Sequence, residues 1–179
     1  LPSEYTGAYY SQIFDHDLTL LSIKNSLFLS VLSTIIDVVL GVMIAYVLTR
    51  RRFPFKDMLD ALTMLPLALP GLVLAFGYVA GFSGTWFDVR ESPVPLLIIA
   101  YAVRRLPYMV RAAYAGFQQT SIALEEASMN LGAGPFRTLW KITLPLVVAN
   151  LVAGAILSFS FAMLEVSDSL ILAVKEQYY

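Results

Sequence analysis

Long apolar stretches alternate along the chain with short charged ones, at the spacing of membrane-crossing helices. Residues 25–49 contain one charge, Asp37, and residues 61–87 and 142–164 contain none. A helix needs about 20 apolar residues to cross a hydrocarbon layer of about 30 Å. The pattern predicts four spans. The first covers 26–49 and stops at Arg50-Arg51-Arg52. The second covers 58–82 and ends in the turn-forming Ser83-Gly84-Thr85. The third covers 94–116, entered after Ser92-Pro93 and interrupted by Arg104-Arg105, and the fourth covers 145–164, closed by Glu165 and Asp168. Residues 1–24 read as an external segment, 117–144 as an inner loop and 173–179 as a cut external end. The fold class predicted is all-α, a polytopic transmembrane helical bundle.

Composition agrees with this reading and removes several chemistries. Of 179 residues, 58% are hydrophobic and 14% are charged, where a soluble domain carries about a quarter charged. The net charge of −1 argues against nucleic acid as a partner. There is no cysteine and one histidine, His16, so thiolate nucleophiles, disulfides and multi-histidine metal sites are not expected. No catalytic residue is proposed. No G-x-x-x-x-G-K-[ST] loop is present, so ATP hydrolysis, if used, belongs to another subunit. Basic residues set the orientation, because cytoplasmic loops are enriched in Lys and Arg. With both ends outside, the inner side collects Arg50, Arg51, Arg52, Lys56, Arg104, Arg105, Arg111, Arg137 and Lys141, and the outer side keeps Lys24, Arg90 and Lys175.

The inner loop is the most informative stretch. Thr120 or Ser121 suits a helix N-cap, and Glu125 and Glu126 follow early enough to favour its positive end. Gly132 suits the left-handed position past the helix C-terminus. Leu124, Ala127 and Leu131 recur at i, i+3 and i+7, which predicts a short amphipathic helix along the inner membrane surface. Beyond it the chain reads Gly134-Pro135-Phe136-Arg137-Thr138-Leu139-Trp140-Lys141-Ile142-Thr143-Leu144-Pro145.

These residues resemble the signature of permease subunits of binding-protein-dependent ABC importers: Glu-Ala-Ala, three residues, Gly, nine residues, Ile, one residue, Leu-Pro. The match is Glu126-Ala127-Ser128, Gly132, Ile142 and Leu144-Pro145, with every spacing kept and Ser128 replacing the second Ala. The resemblance implies a type I ABC importer permease core over 25–172. Its loop would be a cytoplasmic coupling helix, with Glu125, Glu126, Ala127, Gly132, Ile142, Leu144 and Pro145 transmitting ATPase closure. The implied partners are ABC ATPase subunits, a second permease half or homodimer mate, an external solute-binding protein and the lipid membrane. The implied place is the cell inner membrane. No cofactor is expected on this chain, with ATP on the partner subunit.

Arg51-Arg52-Phe53-Pro54-Phe55-Lys56, Leu65-Pro66-Leu67-Ala68-Leu69-Pro70-Gly71, Tyr101-Ala102-Val103-Arg104-Arg105-Leu106-Pro107-Tyr108 and Glu165-Val166-Ser167-Asp168-Ser169-Leu170 resemble the ferric-iron branch. Related permeases for 2-aminoethylphosphonate, thiamine, polyamines and sulfate share much of this pattern. Members of the family have at least five spans, so the four seen here are expected to be a piece of a longer protein. The alternative from another class is an ATP-independent channel or secondary carrier.

Polar groups at membrane depth are the remaining candidates. Asp37 shares one helical face with Ser30, Ser33, Thr34, Gly41 and Ala45. It reads either as a pathway group or as a packing residue. Pro66 and Pro70 withdraw two backbone donors, giving either a kink or a break that lines the pathway. Arg104 falls on one face with Tyr101, Tyr108 and Arg111, either guarding an inner gate over a tyrosine ring or snorkelling to the inner headgroups. Gly154, Ser158 and Ala162 repeat every four residues, the pattern of close helix packing. Of the ten tyrosines, Tyr5, Tyr9, Tyr10, Tyr178 and Tyr179 lie in the flanks, and no Fe(III) ligand set is assigned.

Overall fold

A computed structural model describes residues 17–174, all in helices and the turns between them. The helices are α1 (Asp17–Arg50), α2 (Lys56–Ala68), α3 (Gly71–Phe82), α4 (Pro93–Gln119), α5 (Ile122–Asn130), α6 (Pro135–Thr138), α7 (Leu144–Met163) and α8 (Ser167–Leu172). Three helical stretches are long and apolar enough to cross a membrane, α1, α4 and α6 through α7. The α2–α3 pair makes a fourth if counted as one broken span. His16 and the five flanking tyrosines lie outside the described residues.

The predicted spans need four corrections. The first helix begins by Asp17, so 17–24 are its opening turns and not a loop. The second span is bent by 105° between α2 and α3. Pro66 stays within α2, whereas Leu69 and Pro70 are extended, at ψ 136° each, and there the helix stops. The residue before a proline is driven toward extended backbone, and Leu69 gives way to that pressure. The third span is continuous through Arg104-Arg105 for 27 residues.

The fourth span starts early, at Pro135, so the inner loop is shorter than 117–144. Between α6 and α7 the residues Leu139–Thr143 form a π-turn, and the Leu144 N–H reaches the Leu139 carbonyl. Pro145 has no N–H for the carbonyl four residues back, and the wider turn ahead of it absorbs that mismatch.

The core is the packing of α1, α4 and α7, with α4 the most enclosed. Small residues let the backbones approach. A Cβ on Gly154 would lie 2.7 Å from the Ala112 Cβ, and one on Gly41 would lie 2.6 Å from Met109 Cγ. The polar and small face of α1 is the buried one: Ser30, Ser33, Asp37 and Ala45 are fully enclosed. So are Gly154, Ser158 and Ala162 on α7. The outer surfaces of α1, α3 and α7 carry exposed Val39, Phe76 and Ile156, the faces that lipid or another helix would cover.

Candidate functional site

Two groups of residues stand out, one at the end of the bundle where α1 and α4 stop and one at its middle. At that end, α4 stops at Gln119 and α5 begins three residues later. Ser121 is the cap, its Oγ accepting from the Ala123 N–H at 3.3 Å, while Thr120 ends the preceding helix. Gly132 takes φ +90°, a left-handed turn open to glycine at little cost. A Cβ there would meet nothing within 4 Å, so backbone conformation alone explains the residue.

The two glutamates point differently. Glu126 is exposed, as are Ala127 and Gly132. Glu125 is buried, and its Oε1 accepts from Arg50 Nε at 2.9 Å. Arg50 also donates to the Thr120 carbonyl at 3.1 Å and lies 5.9 Å from the Phe117 ring centroid. Glu125 therefore fastens α5 to the end of α1 and is not presented to a partner. The Leu124, Ala127 and Leu131 stripe lines an open concavity of about 670 Å³, faced by Arg137, Lys141 and Ile142. Ser128, the residue that departs from the signature, lies 3.0 Å from Thr138 Oγ1, tying α5 to α6. Leu144 and Pro145 open α7.

At the middle of the bundle, Arg104 lies about 17 Å along an α4 about 40 Å long. It does not snorkel to the inner surface. Its Nε is 3.5 Å from Glu165 Oε2 and its Nη1 3.9 Å from Asp168 Oδ1. Arg105 is paired with the same Glu165 oxygen. Neither arginine belongs to the inner count of bases. The expected tyrosine contact of Arg104 is replaced by Arg105 over Phe161, at 5.8 Å, with Tyr108 stacked on the same ring. Arg111 instead reaches Asp60 on α2 at 3.1 Å.

The broken span meets this cluster. A Cβ on Gly71 would lie 1.6 Å from Arg104 Nη1, so the guanidinium occupies the space a side chain would take. Pro70 marks the bend beside it, while Pro66 is a half-buried residue of α2. Glu165 also accepts from the Ser167 N–H at 3.0 Å, which holds the start of α8 against the arginines. Asp37 is fully buried and neither of its oxygens has a hydrogen-bond partner.

Sequence reasoning missed Arg50, Glu165 and Asp168 as partners and Gly71 as a seat. The usable signal was depth: two arginines at mid-span require acids at the same depth. Glu165 and Asp168 are the acids at hand. Among the described residues no group of three His, Cys, Asp or Glu is arranged to hold a metal ion.

Comparison with known proteins places this architecture. The chain is 32% identical over 156 residues to the molybdate/tungstate transport system permease protein WtpB of Pyrococcus furiosus, covering 87% of this chain and 61% of that protein. It is 34% identical over 167 residues to the sulfate transport system permease protein CysT of Escherichia coli, covering 88% and 60%. It is 33% identical over 146 residues to the ferric transport system permease protein FbpB of Actinobacillus pleuropneumoniae, covering 82% and 21%. The chain thus spans about three-fifths of the first two and about one-fifth of the third. Residues 37–173, from the middle of α1 through α5 to the charged cluster, match the binding-protein-dependent transport system inner membrane component family, and the chain belongs to that family.

Proposed function

We propose that this chain forms the membrane path of an ATP-driven importer and transmits to it the closure of a cytoplasmic ATPase. The observation that carries this reading is α5, a capped helix whose outer face, Glu126 and Ala127, is free while Glu125 and Ser128 bind it to the bundle. A lever must be rigid toward its load and open toward its motor, and α5 has both properties. Glu126, Ala127 and Gly132 meet the ATPase in this reading, and Ile142, Leu144 and Pro145 continue the lever into α7. The chain supplies no ATP site of its own. An external binding protein delivers the solute, and a second permease half completes the path. Both ends of the sequence face outward.

The solute proposed is ferric iron, on the stretches quoted for that branch. The second reading is an oxyanion, favoured by comparable identity to the molybdate/tungstate and sulfate permeases over most of this chain. The deciding experiment reconstitutes the full-length protein with its co-purifying ATPase and binding protein and compares uptake of labelled ferric iron, molybdate and sulfate. ATP-dependent uptake of one of them is the expected result. Uptake with no ATPase and no ATP would overturn the reading in favour of a channel or secondary carrier.

A further inference from the structure

At mid-membrane depth two arginines face two acids, and a third acid, Asp37, is left over. Its place is not arbitrary. Asp37 lies about 20 Å from the inner end of α1, and Arg105 about 21 Å from the inner end of α4. One turn below them, Gly41 packs directly on Met109. Asp37 and Arg105 each precede that contact by four residues, so they stand at one level on two helices whose Arg50 and Thr120 also meet.

Both groups are incompletely used. Asp37 Oδ1 and Oδ2 have no partner, nor has Arg105 Nε. Arg105 is the cation whose field reaches Asp37. A buried carboxylate without a partner is costly, and a fold retains one where another arrangement satisfies it. A cavity of about 160 Å³ beside Asp37, lined by Ile99, Ala102 and Leu106 of α4 and not by Arg105, gives the Asp37 side chain room to move. The present partner of Arg105, Glu165, lies between α7 and α8 and not within a helix.

We propose that Asp37 is the alternative partner of Arg105: here Arg105 holds Glu165, and in the opposite state of the transport cycle it releases Glu165 and pairs with Asp37, leaving residues 165–172 held by Arg104 alone and looser. The inference rests on the importer reading and adds to it a positioning residue, which acts through Arg105 and does not itself touch solute. Two packings of one interface, each satisfying the same guanidinium, make the bistable element that alternating access requires.

The test uses the full-length permease with its ATPase and binding protein in proteoliposomes, carrying Leu170→Cys on exposed α8. A membrane-permeant maleimide reports the ATP-dependent change in labelling rate. Asp37→Asn removes the alternative partner and is expected to reduce that change about fivefold or more, while Asp37→Glu keeps it. In a Glu165→Gln background the competition is gone, so Asp37→Asn is expected to change nothing further. Asp37→Ser replaces Asn if the latter does not assemble. Wild-type labelling without ATP dependence would count against the importer reading itself. Full ATP dependence in Asp37→Asn, or an equal effect with and without Glu165, overturns the switch alone.

Discussion

The α5 attachment and the mid-span cluster each hold buried charge against charge, but in different settings. Arg50 and Glu125 sit where α1 and α4 end, next to an exposed helix face. Arg104, Arg105, Glu165 and Asp168 sit where helices surround them and lipid surrounds the helices. Losing Glu125 leaves Arg50 with the Thr120 carbonyl and the Phe117 ring. Losing Glu165 strips Arg105 of its bonded acid and leaves Arg104 with Asp168 alone, at 3.9 Å. The same kind of contact is a fastening in one region and a condition of folding in the other.

The largest expected effect breaks that difference directly. Glu165→Ala should destabilise the protein by about 3–5 kcal/mol, because the buried Arg105 and the part-buried Arg104 lose their shared acceptor. Glu125→Ala should cost about 1–3 kcal/mol, since Arg50 keeps the Thr120 carbonyl as an acceptor. Thermal unfolding of both variants in one detergent gives the ranking, and equal losses would mean that depth does not matter here.

Next come two glycine substitutions with different causes. Gly71→Ala must displace the Arg104 guanidinium from its seat, with an expected cost of about 1–3 kcal/mol. Gly132→Ala strikes nothing and carries only the left-handed backbone penalty, about 1–2 kcal/mol. Pairing each with a second change separates the mechanisms. Arg104→Ala should relieve Gly71→Ala, whereas no side-chain deletion should relieve Gly132→Ala.

The smallest effect belongs to a control region, the turn between α3 and α4. The backbone N–H groups of Gly84 and Arg90 donate to Asp88 at 2.7 and 2.9 Å and hold its carboxyl below the usual range. A depressed carboxylate contributes stability that is present above its unfolded value, about 3.9, and lost as pH falls through its folded value. Wild type should therefore lose slightly more in Tm than Asp88→Asn on going from pH 6 to pH 3. The reverse order would show that these hydrogen bonds do not persist in solution.

The two regions also differ in what a reader of the sequence can see. The α5 region is local: the cap, the glutamates and the left-handed glycine lie within 12 residues, and the cap and the glycine occupy their expected places, whereas the next helix starts ten residues early. What was hidden there is direction, because adjacent glutamates on a helix point about 100° apart and only the fold assigns Glu125 to Arg50. The cluster is non-local. Arg105 and Glu165 are 60 residues apart, and a rule that counts bases by side of the membrane has no place for a base at its middle. The broken span was half legible, since both prolines were visible, but local competition between Leu65 and Leu69 decided which one bent the chain.

The latch of Arg50 on α5 has a geometric consequence. A short helix joined only at its two ends, to α4 and to α6, is free to swivel about the line through those joints. The bond to α1 supplies a third point off that line, and three points fix an orientation as well as a position. The orientation of the exposed face is then set by α1, α4 and α6 together, as one rigid triangle.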